Sequence, residues 1–246
     1  MKQRLDLALT LANQAATRSQ AENFIRLAKV SVNGRVVTKA GHMVGPQDTI
    51  TLDIQERYVS RAGLKLASVA KHFSLDFTDK VVLDIGSSTG GFTDYALQNG
   101  ARKVLAVDVG TDQLHPSLRS HPAIELHEKT DIRNFYTQEA IDIIVGDVSF
   151  ISLREILPHV AEQLMGPHTQ LVAMVKPQFE ARRQQINKGV IKNNTVRREI
   201  LSSFEQWAKQ LFVIVSKRDS DVAGAKGNLE RFYVLRLRQN AHSTRH

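Results

Sequence analysis

The stretch V-V-L-D-I-G-S-S-T-G-G-F at residues 81–92 constrains this chain more than any other. Val81, Val82, Leu83 and Ile85 form a short apolar run, as in a strand covered on both faces. Gly86, Gly90 and Gly91 allow positive φ and a close approach of backbone to ligand. Residues 93–99 have a helical composition that Gly100 stops. Strand, glycine-rich turn and helix together open a nucleotide-type site, with helix N–H groups facing the ligand.

The spacing is D-x-G-x-x-x-G-G rather than the dinucleotide G-x-G-x-x-G. Asp84 stands at the carboxyl end of the strand, where it can take a cationic amine directly or through water. S-adenosylmethionine offers an amine and a sulfonium and lacks the pyrophosphate of NAD, so the turn favours a methyl donor over a dinucleotide. A bare structural turn has no use for three glycines and a buried acid. Asp84, Gly86, Ser87, Ser88, Thr89, Gly90, Gly91 and Phe92 are therefore the expected cofactor residues.

The 246 residues suffice for one medium domain with a small one attached. The absence of cysteine excludes disulfides and thiolate-bound metals, and permits a reducing compartment. A net charge of +8 suggests a polyanionic partner, most often nucleic acid. The apolar runs are far shorter than the roughly 20 residues of a membrane span. Asp6, Asn13 and Gln14 interrupt the leucine- and alanine-rich start, which reads as a helix and not a signal peptide. A cytoplasmic protein without a membrane partner is expected.

Residues 1–57 read as a separate unit. Leucines and alanines over residues 5–15 suit an amphipathic helix. Thr17 or Ser19 can cap a second helix, with Phe24, Ile25, Leu27 and Ala28 facing inward. V-S-V-N-G-R-V-V at residues 30–37 is a hairpin with an Asn-Gly turn, and residues 44–52 add a turn and a strand. Two helices leading into this hairpin resemble the S4 RNA-binding domain. In that family the second helix and the loop after it present cations to structured RNA, which implies RNA contacts for Arg18, Arg26, Lys29, Arg35 and Lys39. Recognition of this kind reads shape and phosphate more than base edges.

Residues 58–64 are expected to link this unit to a second one spanning 65–246. Strands are expected at 103–107, 125–127, 141–147 and 170–175, separated by helices, with a long helix at 195–211. Residues 212–216 and 231–237 could form a closing hairpin. Alternating strands and helices imply a mostly parallel, doubly wound α/β sheet. Ligands bind such sheets at the carboxyl ends of the strands. Asp108 there suits a ribose hydroxyl pair in either cofactor type, and Asp131 places a carboxylate beside an adenine site. Lys176, directly after an apolar strand, needs a partner because desolvating an ammonium is costly.

Lys65 in S-R-A-G-L-K-L, Asp147 in G-D-V-S-F-I-S-L, Lys176 in V-K-P-Q-F-E and Glu230 in G-N-L-E-R-F match a Lys-Asp-Lys-Glu tetrad. With the S4-like start, the chain resembles the TlyA family over almost its full length. That resemblance implies an S4 domain followed by an FtsJ-like, Rossmann-like methyltransferase domain. It further implies 2′-O-methylation of cytidine ribose in ribosomal RNA of one or both subunits, with S-adenosylmethionine as donor. In the implied chemistry Lys176 accepts or polarises the ribose hydroxyl proton and Asp147 orients it. Lys65 stabilises the developing alkoxide, and Glu230 positions the lysines or the hydroxyl. No metal is required, and His72, His115, His121 and His127 lack ligand-like spacing. Ala62, Arg182 and Ile191 depart from the family pattern. The alternatives are an RNA-binding or assembly protein with an idle methyltransferase fold, and the membrane-active haemolysin of the family's common label, for which the sequence supplies no span.

Overall fold

A computed structural model of the chain describes residues 2–15, 17–52, 57–181, 190–191, 193–224 and 227–238. The chain divides into two compact units, Met1–Glu56 and Arg57–His246. Arg182 and residues 53–56, at the end of the first expected unit, lie outside the described residues.

In the first unit β1 (Gln3–Arg4) leads into α1 (Leu5–Leu11) and α2 (Arg18–Arg26), followed by β2 (Val30–Val32), β3 (Arg35–Val36), β4 (Met43–Val44) and β5 (Ile50–Leu52). Thr17, not Ser19, caps α2, its side chain accepting from the Gln20 N–H. β2 pairs with β3 across a turn in which Asn33 and Gly34 both have positive φ, and with β5 on its other side. Leu5, Leu9, Ile25, Val30 and Val44 form the core. Leu27 is an exception to the expected pattern: it follows the last turn of α2 and is 58% exposed. Ala28 beside it is also exposed, in a left-handed conformation. Arg4 and Arg18 both donate to Asp6, which is fully buried. The Arg4 hydrogen bond, above all, holds that carboxyl far below its usual range.

The second unit begins earlier than expected. Tyr58 is buried against Tyr95, and α3 (Arg61–Ala70) starts three residues later, so the expected linker belongs to this unit, with Tyr58 in its core. The sequence signal is weak because Tyr58 sits among polar and charged neighbours and only tertiary contact buries it. There follow β6 (Val81–Ile85), α4 (Gly91–Gln98), β7 (Lys103–Val107), α5 (Pro116–Arg119), β8 (Ile124–His127), β9 (Ile143–Gly146), α6 (Leu153–His159), β10 (Gln170–Val175), α7 (Pro177–Glu180), α8 (Asn194–Ala208), β11 (Phe212–Asp219) and β12 (Arg231–Leu237). Pro158, which lacks an N–H, stands near the end of α6, and Val160–Leu164 continues as a π-helix.

The sheet runs β11-β12-β10-β9-β6-β7-β8. β6 to β10 are parallel, whereas β12 is antiparallel to β10 and to β11, so the closing hairpin inserts its second strand into the sheet. All five residues of β6 are buried, Asp84 included, as in a strand covered on both faces. Strand order reverses between β6 and β9, and a crevice opens there at their carboxyl ends.

Candidate active site

β6 delivers Asp84, β9 delivers Asp147 and β10 delivers Lys176 to this crevice. Gly86 takes φ +77°, and a side chain there would press on the Asp147 carbonyl, so this glycine is what lets the two strand ends approach. Two cavities meet at this point. The inner one, of about 120 Å³, is lined by Asp84, Gly86, Ser87, Ser88, Thr89, Phe92, Asp147 and Lys176, together with Ala62 and Ser149. The outer one, of about 470 Å³, is lined by Gly86, Ser88, Asp108, Asp131, Asp147, Phe150 and apolar neighbours such as Ile85 and Ile156. That size falls within the range of small-molecule sites.

Asp84 is 1% exposed. Its Oδ2 accepts from the Thr93 N–H at 2.9 Å and the Thr93 hydroxyl at 2.7 Å, while Oδ1 is buried without a hydrogen-bond partner. Burial pushes the carboxyl up to about 7, against the Thr93 hydrogen bonds and with help from the neighbouring Asp147 and Asp108 charges. A buried carboxylate oxygen with nothing to receive fits a cationic ligand group, as the amine of S-adenosylmethionine would be. Ser87 Oγ is a second buried atom without a partner on the same cavity.

Asp108 is already engaged, accepting from the Ser88 N–H at 2.8 Å and the Gly110 N–H at 2.6 Å. These bonds shape the rim of the outer cavity, and a carboxylate has lone pairs left for a ligand hydroxyl. Asp131 is likewise held, its Oδ2 at 2.6 Å from Arg133 and its Oδ1 accepting from the Arg133 N–H. The Arg133 hydrogen bond lowers its carboxyl below the usual range. Gly90 and Gly91 stand behind the cavities. Gly90 takes φ +90° as the N-cap of α4, where a side chain would strike Leu114 and Leu118. A side chain on Gly91 would strike Ser60, Ala62 and Gly63, and one on Gly63 would strike Tyr58 and the Gly91 carbonyl. The G-G pair and the S-R-A-G run therefore serve one another, letting α3 and α4 meet backbone to backbone.

The four tetrad residues form two pairs. Lys176 Nζ lies 2.6 Å from Asp147 Oδ1 and donates to Ser149 Oγ at 2.6 Å. Lys65 Nζ lies 2.5 Å from Glu230 Oε2. Both carboxylate oxygens are buried against a lysine ammonium. Lys65, Lys176 and Glu230 are buried, which only paired charges tolerate. Gly224 is the residue that leaves room for Glu230, since a Cβ there would clash with its carboxylate. Ala62 lines the inner cavity one helical turn before Lys65.

Sequence reading missed three residues at this site. Ser149 touches both cavities and Lys176. Phe150 is 92% exposed at φ +67° and meets Phe179 at a tilt of 49° with centroids 5.3 Å apart, an expensive placement for an aromatic residue. Glu180 ties the loop after β10 to the start of α6. In the first unit Arg26, Arg35 and Lys39 are exposed, Lys29 is half-buried, and Arg18 is partly committed to Asp6. No cluster of three metal-ligating side chains and no helix long and apolar enough to cross a membrane occurs among the described residues.

A family model for the FtsJ-like methyltransferases matches residues 58–238, and one for the S4 domain matches residues 3–50. The chain is 34% identical to the 16S/23S rRNA (cytidine-2′-O)-methyltransferase TlyA of Mycobacterium tuberculosis, covering 95% of this chain and 89% of that protein. It is 37% identical to the 23S rRNA (cytidine-2′-O)-methyltransferase TlyA of Campylobacter jejuni, covering 77% and 78% respectively. The solved structure of a candidate hemolysin from Streptococcus thermophilus is 36% identical, with a TM-score of 0.74 over 97% of this chain and 90% of that one.

Proposed function

The chain belongs to the FtsJ-like methyltransferases and carries an S4 domain, and on that premise we propose that it moves the methyl group of S-adenosylmethionine to the ribose 2′-oxygen of a cytidine in ribosomal RNA. The observation that carries this reading is a pairing across one cavity. Asp84 Oδ1, buried and without a partner, lines the same inner cavity as Lys176, itself held by Asp147 and Ser149. A cationic donor and a weakly acidic hydroxyl need these two groups on opposite sides of the transferred carbon. The two TlyA relatives support ribose in ribosomal RNA as the acceptor.

When bound, S-adenosylmethionine supplies an electrophilic methyl group on a sulfonium. Asp84 receives the amine, and the rim formed by Asp108 and Asp131 takes the nucleoside end. Lys176 polarises the 2′-hydroxyl as an ammonium, or accepts its proton when neutral, as the oxygen–carbon bond would form and the sulfonium sulfur–carbon bond would break to release S-adenosylhomocysteine, and Asp147 and Ser149 fix where its amine points. The buried Lys65–Glu230 pair offers a second cation for the developing alkoxide. Most of the acceleration comes from holding donor and acceptor in line. Proton transfer adds on the order of 10²- to 10⁴-fold. The exposed cations Arg26, Arg35 and Lys39 of the S4 domain hold the RNA through phosphate contacts.

The test is to map ribose methyl groups on ribosomal RNA with and without the gene, and to assay Lys176→Ala on the undermethylated ribosomal subunits. One or more cytidine 2′-O-methyl groups disappear with the gene. K176A loses transfer by about 10²-fold or more, while its affinity for S-adenosylmethionine, read by calorimetry, stays within a few-fold. An unchanged methylation map, or normal turnover by K176A, overturns the reading.

A further inference from the structure

We infer that Glu180 is a positioning residue for methyl transfer, a clasp that locks the Lys176 loop to the Asp147 loop. The kinetic part of this inference rests on the reading above. Lys176 and Glu180 lie on one segment, the end of β10 and α7, and Asp147 and Ser152 lie on the other, between β9 and α6. The two segments touch at three successive points. Lys176 meets Asp147 and Ser149. Phe179 meets Phe150 with ring centroids 5.3 Å apart. Glu180 then accepts from the Ser152 hydroxyl at 2.6 Å and the Leu153 N–H at 2.7 Å, with Arg154 3.4 Å away.

The Glu180 side chain is only 2% exposed. A buried carboxylate is costly unless hydrogen-bonded or paired, and all of these partners sit on the opposing segment. The contact therefore exists only while the two loops stay in register. Of the three contacts it is the one with no residue lining either cavity, and its loss frees both loops to slide where Lys176 and Asp147 meet. The plainer role is a cap on α6, because a carboxylate at a helix start satisfies a free N–H and the positive end of the dipole. A cap acts on α6 alone, whereas a clasp acts on both loops.

Glu180→Gln in the full-length protein separates the two. It keeps an oxygen for the Leu153 N–H but loses the charge facing Arg154 and sets an amide against Ser152. Hydrogen exchange is expected to accelerate in peptides covering both 147–152 and 176–181, with the rest of the sheet unchanged. On undermethylated ribosomal subunits kcat falls by about 10- to 100-fold, while KM for the RNA and the affinity for S-adenosylmethionine stay within a few-fold. Glu180→Asp, which keeps the charge, recovers part of kcat. Faster exchange confined to the first turn of α6, with kcat unchanged, overturns the inference. So does a common loss of melting temperature and activity in both variants with no loop-specific exchange. If the wild-type protein transfers no methyl group, the proposed function fails, and the exchange data still decide whether the clasp exists.

Discussion

Replacing Asp84 by asparagine should make the protein more stable and at the same time unable to hold its methyl donor. The Asp84 carboxyl is raised from 3.8 to about 7, chiefly by burial. A difference of about three pH units at ~1.36 kcal/mol each puts the cost of holding it charged at up to roughly 4 kcal/mol. Asparagine can keep accepting from Thr93 through its carbonyl oxygen, but its buried amide N–H groups lack acceptors and give back about 1–3 kcal/mol. The net gain of about 1–3 kcal/mol corresponds to a rise in Tm of roughly 2–12 °C for a domain of this size. The sign follows from linkage. Because the folded carboxyl titrates above the unfolded one, its favourable contribution is complete below about pH 4 and is lost as pH climbs to about 7. D84N escapes that loss, so it starts below wild type near pH 4 by the cost of its unpaired amide, overtakes it as pH climbs to about 7, and keeps a constant advantage above. The charge that destabilises the empty site is the one a cationic amine needs. Wild-type affinity for S-adenosylmethionine should rise with pH up to about 7, and D84N should lose roughly 100-fold or more, as for one partner of a buried charge pair. Differential scanning fluorimetry with and without the donor, across this pH range, measures both effects. A D84N protein no more stable than wild type at pH 8, or one still stabilised by the donor, would refute the reasoning.

Phe150→Ala should leave Tm within about 2 °C, since an exposed ring contributes little to the fold. It should raise KM for ribosomal RNA by about 5- to 150-fold if the ring serves as a stacking surface for a base, worth ~1–3 kcal/mol. Equal KM values for wild type and F150A would remove that role. Arg26→Ala, Arg35→Ala and Lys39→Ala together should weaken RNA binding and flatten its dependence on salt by about two to three phosphate contacts, read from filter binding over a salt series. An unchanged salt slope would move the RNA contacts elsewhere.

Much of the site's position could be read from the chain because it depends on local rules. An apolar run ending in an acid and a glycine turn announces β6 and its carboxyl edge, and the lysine after the apolar run 170–175 announces that a charge must be matched there. Nothing local says which partner matches it. Lys176 finds Asp147 and Ser149 from β9, while Lys65 on α3 finds Glu230 before β12, and these choices follow from strand order. Gly90 and Gly91 illustrate the same limit. Their permissive backbone suggests a ligand approaching closely, yet the neighbours in the fold are Leu114, Leu118 and the Ser60–Gly63 turn. The ordinary reading of glycine as room for something holds, and only tertiary structure says for what.

On the proposed function, the residues that would bind the donor are held differently from those that would time the reaction. Asp84, Asp108 and the glycine turn belong to β6, β7 and the loops directly after them, and their geometry is set by parallel ladders that leave little freedom. Lys176, Asp147 and Glu230 lie beyond strand ends on three connections whose mutual register depends on side chains. Arg197 donates to the Leu229 carbonyl and to Asp219, Arg231 also donates to Asp219, and Glu180 holds Ser152. Donor affinity should accordingly survive substitution at these side chains, whereas kcat should not. A variant of Arg197 or Glu180 that lost donor affinity and turnover in proportion would show that the two halves of the site are a single rigid unit.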